Sequence, residues 1–208
     1  MARFTRLDDD GTPMDDDNNS YVTDTLTEVA ISPQIVEGNT IELPNGCGCL
    51  LVSLVEDPQP NGYEVTITRG RVNPELQELL LGTPVVSWPD GSSLLVSAGN
   101  QNPIRQSCGV RRAGVAAEFW QQAISYDDQD PDYGFIHYVY PKVVFSEADF
   151  TMNNDATTKA LAGRTRENAN FGEGPYGDLP EAADVNGMWF FDDQMPTAAV
   201  GYQTVAIP

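Results

Sequence analysis

The sequence predicts one mainly β domain, built as two packed antiparallel sheets or an open barrel, with a single short helix. Three observations carry that expectation. Apolar and polar residues alternate with period two along residues 63–68 and most clearly along 133–145. Turn-forming Gly, Pro, Asn and Asp recur between the alternating runs, at 38–39, 44–46, 57–62 and 89–91. Helical spacing with both caps in place occurs once, over 73–82. A chain of 208 residues suits one domain of ordinary size, able to bury a core without covalent staples.

The amino-terminal residues 1–20 carry two acidic triplets, Asp8, Asp9, Asp10 and Asp15, Asp16, Asp17, among Gly, Pro and Asn. Their composition predicts a solvated arm separate from the 21–208 domain, ordered only where it docks on a neighbouring copy. Asp15, Asp17 and Asn19 copy the first ligands of a calcium loop. Ser20 then replaces the required Gly and Leu26 the bidentate Glu, so a calcium site is not expected.

Residues 21–67 read as strand and turn throughout: 22–31, 40–43, 47–55 and 63–68, the last with one wet face. The helix follows, with Asn73 as N-cap, Pro74 at the first position, Leu76, Leu79 and Leu80 on one face and Gly82 as the left-handed stop. Residues 84–97 predict two short strands around a turn at 89–91. The loop 99–114 holds Arg105, Arg111 and Arg112 with little apolar content. On so acidic a chain these arginines either meet carboxylates of another copy or pair within their own subunit. Over 115–124, Ala, Glu and Gln favour helix. The run 133–145 places Phe135, His137, Val139, Val143 and Phe145 on one face and Ile136, Tyr138, Tyr140, Lys142 and Val144 on the other. Pro141, which cannot donate a ladder hydrogen bond, calls for an edge or a bulge. Residues 157–166 return antiparallel beside it, and 187–191 and 198–206 close the domain.

With 31 acidic against 11 basic residues the net charge is −20, which opposes adhesion to nucleic acid phosphates. No apolar run approaches the length of a bilayer span and residues 1–10 lack a secretory core, so the chain is expected to be made and kept in cytosol. Cys47, Cys49 and Cys108 are an odd set and read as free thiols rather than a disulfide framework or a Cys-x-Cys metal clip. Phosphate-cradling, zinc-protease and nucleophile-elbow motifs are absent from the sequence. His137 inside an alternating strand reads as a core or interface residue, and Trp88, Trp120 and Trp189 as core packing. No catalytic set, metal or cofactor is expected.

Residues 133–170 organise the chain: an aromatic strand ending at Pro141, an acidic turn, a Thr-rich strand, then Gly163, Thr165, Glu167, Asn168, Phe171, Gly172, Gly174 and Pro175. This succession resembles the major tail tube proteins of long non-contractile-tailed bacteriophages. Residues 28–48 resemble that family's opening hairpin, 73–82 its helix, and 115–120 a strand with Glu118 and Trp120 on one side, which decides 115–120 as strand. The resemblance covers roughly residues 23–198.

The resemblance implies a structural subunit that forms rings, commonly of six, whose strands join into a closed inner barrel and whose stacking forms the tail tube for genome ejection. The implied partners are further copies, the tape measure, terminator and distal tail proteins, and phage DNA in transit only, with no membrane. The implied place is the tail of the virion, assembled in the host cytoplasm. Within that reading the Asp8–Asp10 and Asp15–Asp17 triplets and Arg105, Arg111 and Arg112 are expected between subunits. Glu42, Glu64, Glu147 and Asp149 are expected to line the bore, with Lys142 paired or outside it. The competing readings are another phage structural protein, a tail terminator or capsid decoration protein, and a soluble enzyme with a carboxylate pair.

Overall fold

The architecture turns on one long strand whose side chains enter two different cores. The computed structural model describes residues 1–14, 16–70, 73–82, 85–87, 94–96, 114–123, 134–148, 159–177, 179, 185–192, 195 and 200–205. Among them, in order, lie β1 (Ala2–Arg6), β2 (Asp16–Thr23), β3 (Leu26–Val36), β4 (Thr40–Pro44), β5 (Leu50–Val55), β6 (Gln59–Arg69), α1 (Pro74–Leu81), β7 (Val85–Ser87), β8 (Leu94–Val96), β9 (Val115–Gln122), β10 (Phe135–Glu147), β11 (Lys159–Thr165), β12 (Met188–Asp192) and β13 (Gly201–Val205). The protein is mainly β with antiparallel sheets and one helix among the described residues, consistent with a sandwich. The principal sheet runs β13-β2-β1-β9-β10-β11-β6-β3, with β12 also on β10. The first half of β10 pairs with β9 and β12, and its second half with β11.

The register of β10 against β9 shifts between Tyr140 and Val143. Pro141 therefore sits in a bulge, where its missing N–H leaves no ladder position empty. One inserted residue reverses the alternation, so the two expected faces of this strand exchange members. Val139 lies in the second core, whereas Tyr140, Val143 and Phe145 lie in the first.

The first core packs Phe4, Tyr21, Val65, Ile67, Phe119, Phe145 and Leu161 against Leu76, Leu79 and Leu80 of α1. Phe4 meets Phe119 and Phe145 edge-on, with centroids 5.8 and 6.1 Å apart. The second core holds Leu7, Ala116 and Val139 beneath Phe171 and Leu179. With both faces of β9 covered, its burial overrides the helical propensity of its Ala, Glu and Gln residues. Helix α1 has the expected ends: the Asn73 side chain accepts from Glu75 N and Leu76 N, and Gly82 takes φ 66°. The short pair β7 and β8 is antiparallel as expected.

Residues 1–20 are not an arm. β1 lies inside the sheet between β2 and β9, and Ala2 and Phe4 are fully buried. Asp8 shapes the turn after β1 by accepting from Asp10 N and Thr12 N. The first acidic triplet marks a turn between two core strands. The run 22–31 is likewise two strands, broken where Thr23 Oγ1 accepts from Thr25 N. Cys47 and Cys49 stand in the β4–β5 turn, where Asn45 Oδ1 accepts from both of their N–H groups, and both thiols are free and exposed. Cys108 and Trp88 lie outside the described residues.

Candidate functional site

The residues that carry the family resemblance are placed as structure. At Gly163 a Cβ would come within 2.6 Å of Phe145 Cδ1 and Val143 Cγ1, so only glycine lets β11 close on β10. Thr165 Oγ1 accepts from Tyr63 N at 2.7 Å, tying β11 to β6. Asn168 Nδ2 donates to Gly11 O at 2.7 Å and to Pro141 O at 3.2 Å, so one amide holds the first turn and the bulge together. Glu167 accepts from Asn186. Phe171 and Pro175 are buried, and Gly172 and Gly174 take φ values of 59° and 81° as the chain turns over the second core.

Beside that core lies a buried polar cluster. Arg3 and Glu118 are cross-strand partners joined by two hydrogen bonds, and His137 Nε2 stands 3.1 Å from Glu118 Oε2. The Trp120 ring stacks on His137 at 4.0 Å and Tyr176 lies 4.0 Å from the Arg3 guanidinium. His137 Nδ1 is 3.4 Å from Asp192 Oδ2, an ion-pair distance without hydrogen-bond alignment. Burial pushes the Glu118 carboxyl up, but Arg3 and the His137 hydrogen bond outweigh it and hold the group below the usual carboxylate range. Glu118 is fully buried and its oxygens are occupied by Arg3 and His137. That arrangement suits a cross-strand clamp better than a general base, which must reach its substrate.

A second buried cation, Arg69, was not singled out by sequence. It is 1 % exposed, at the end of β6. Its Nε and Nη1 have no hydrogen-bond partner, and burial lowers its pKa while Glu147 opposes the shift. The alternation that places Val65 and Ile67 inward also fixes Arg69 inward, a signal visible in the sequence.

The surface features lie elsewhere. Among the described residues β4 and β5 pair only with each other, and their register sets Ile41 beside Leu54 and Leu43 beside Val52 on one face. Thr40 with Val55 and Glu42 with Ser53 occupy the other. Ile41, Leu43, Val52 and Leu54 are 45–55 % exposed. At the opposite end of β3 an open groove of about 740 Å³ lies between β3 and β12. Phe119, Tyr138, Tyr140, Val29 and Ile31 line it, and Trp189 stands at its side, 62 % exposed rather than packed in a core as expected.

Of the four carboxylates expected to line the bore, the three among the described residues do not share a face. Glu42 is on the polar side of the free hairpin. Glu64 is on the outer face of β6, accepts from Gln34 Nε2, and stands opposite Arg164 of β11. Glu147 follows the inward parity set by the bulge and accepts from Gln77 of α1 at 3.1 Å. Asp149 lies outside the described residues, as do Asp15, Arg105, Arg111 and Arg112. Asp16 and Asp17 belong to β2, and Asp8, Asp9 and Asp10 to the turn after β1. Lys142 lies beside Gly114, where β9 begins.

Among the described residues no three His, Cys, Asp or Glu side chains are grouped to hold a metal, and no helix is long and apolar enough to cross a membrane. No protein-family model matches the chain, and no curated protein matches it.

Proposed function

We propose that the protein is a self-assembling structural subunit of a bacteriophage tail tube, polymerising as stacked rings around a channel. The observation that carries the reading is the apolar face of β4–β5. A lone two-stranded hairpin is marginal in water, and this one leaves Ile41, Leu43, Val52 and Leu54 uncovered on a chain of charge −20. A partner surface on another copy satisfies it. The resemblance of residues 133–175 to tail tube proteins supplies the geometry, a ring in which strands of successive copies join into a closed inner barrel.

In that ring the polar side of the hairpin, with Glu42, turns to the bore and the apolar side packs against protein. The net charge then repels the DNA backbone and lets a genome slide, since each captured phosphate would add a salt-dependent grip. Glu64 contributes to a mixed surface, because Arg164 stands beside it.

Negative-stain electron microscopy of the purified protein tests the reading. Long hollow tubes are expected. Isolated rings favour a terminator, and a monomer at every concentration overturns self-assembly.

A further inference from the structure

We infer that His137 works as a proton-operated latch for β12, bridging Glu118 and Asp192 when both ring nitrogens carry a proton and holding Glu118 alone when only one does. This goes beyond the tail-tube reading and does not rest on it. β1, β9, β10 and β12 are successive neighbours, and on the face of the second core they set Arg3, Glu118, His137 and Asp192 in one row. His137 stands directly across from Trp120 of β9 and Phe190 of β12. Glu118 is paired with Val139 and Asp192 with Phe135, so the two carboxylates flank His137 diagonally from opposite ends. Diagonal positions across a sheet are within reach of long side chains, and each carboxylate meets a different ring nitrogen. Nε2 is 3.1 Å from Glu118 Oε2, and Nδ1 is 3.4 Å from Asp192 Oδ2.

The protons follow from the partners. Arg3 holds Glu118 as a carboxylate, which can only accept, so Nε2 must carry a hydrogen. A ring with that single proton turns the bare lone pair of Nδ1 toward Asp192, two acceptors facing each other with no bond between them. A second proton makes Nδ1 a donor and the ring a cation. The row Arg3, Glu118, His137, Asp192 then alternates in sign, and each charge drawn out of water has an opposite neighbour. The surroundings of the ring agree, since Trp120 stacks on it at 4.0 Å and Phe190 lies against it at 4.8 Å, and aromatic surfaces favour a cation. Among the described residues β12 pairs only with β10, so the Asp192 contact adds to a single ladder. Trp189 and Phe191 are exposed on the other face of β12, and the latch sets how firmly that aromatic pair is held. Its stabilisation is present where the imidazole carries both protons and is lost as pH rises, the reverse of the Glu118 response to acid.

His137 is the only histidine of the chain, so nitrogen-15 spectra of the imidazole, recorded on the full chain at about pH 5.5 and 8, read its two nitrogens directly. Both are expected to be protonated at the lower pH and Nε2 alone at the higher. Amide hydrogen exchange of residues 188–192, corrected for the intrinsic effect of pH and referred to residues 115–122, is expected to quicken by about threefold or more between the two. Asp192→Ala, a change at a partly exposed side chain, is expected to abolish that step and leave β12 exchanging as it does in the wild type at the higher pH. A ring in the same state at both pH values, a neutral ring protonated on Nδ1, an exchange rate in β12 that ignores pH, or a step that survives Asp192→Ala overturns the latch.

Discussion

Arg3 Nε and Nη2 meet the two carboxylate oxygens of Glu118 at 2.7 and 2.6 Å, joining the first strand of the chain to a strand more than a hundred residues away. Both side chains are buried, so removing one partner strands the other. Glu118→Ala is expected to cost about 3–5 kcal/mol in urea denaturation, whereas the double variant Arg3→Leu with Glu118→Leu costs less. The same pair fixes an acid response. Glu118 titrates below its unfolded value, near ~4.3 for an ordinary Glu, so its stabilisation is complete above that pH. The contribution is lost as pH falls through the depressed folded value. A melting temperature that falls more steeply below pH 4 in the wild type than in the double variant checks this.

Deleting residues 1–13 removes β1 from between β2 and β9 and takes Phe4 out of the first core. The truncated chain is expected to lose cooperative unfolding, measured by near-ultraviolet circular dichroism and calorimetry. A truncation that folds but no longer assembles would restore the docking-arm expectation.

That arm shows where sequence reading stops. Asp8, Asp9 and Asp10 dominate the composition of residues 1–20, yet the strand is specified by Ala2 and Phe4, too few positions for an alternation to stand out against the charge. Local signals served better where a mechanism is local: Asn73 and Gly82 announced the helix ends, and Pro141 announced a bulge. What a bulge does to parity is a pairing fact, so the exchange of Val143 and Phe145 to the other face had no signature in the strand itself. The partners of His137 were hidden for the same reason, since Glu118 becomes its neighbour only through the β9–β10 register. The hairpin pairing of Ile41 with Leu54 was implicit in the alternation of 40–43, but its lack of cover is a tertiary property.

Gly163→Ala is expected to destabilise by about 1–3 kcal/mol through overpacking, because the added methyl meets Phe145 and Val143. Asn168→Ala leaves the Gly11 and Pro141 carbonyls without their donor and is expected to cost about 1–3 kcal/mol. Urea titrations of both variants check these values.

Alkaline stability follows from Tyr140. Burial, with Tyr63 and Tyr138 adding to it, pushes its hydroxyl up to about 12. The unfolded side chain ionises near ~10, so the fold favours the neutral phenol. Its contribution is full below pH ~10 and is lost as pH rises from there through the folded value. Tyr140→Phe is expected to flatten the fall in melting temperature between pH 10 and 12.

Sedimentation velocity across a concentration series tests self-assembly through the free hairpin most directly, with the wild type run beside a variant carrying Ile41→Asn and Leu54→Asn. The account predicts large, concentration-dependent species for the wild type and a monomer with an unchanged melting temperature for the variant. A wild type that sediments as a monomer throughout, or a variant that assembles as readily as the wild type, would contradict it.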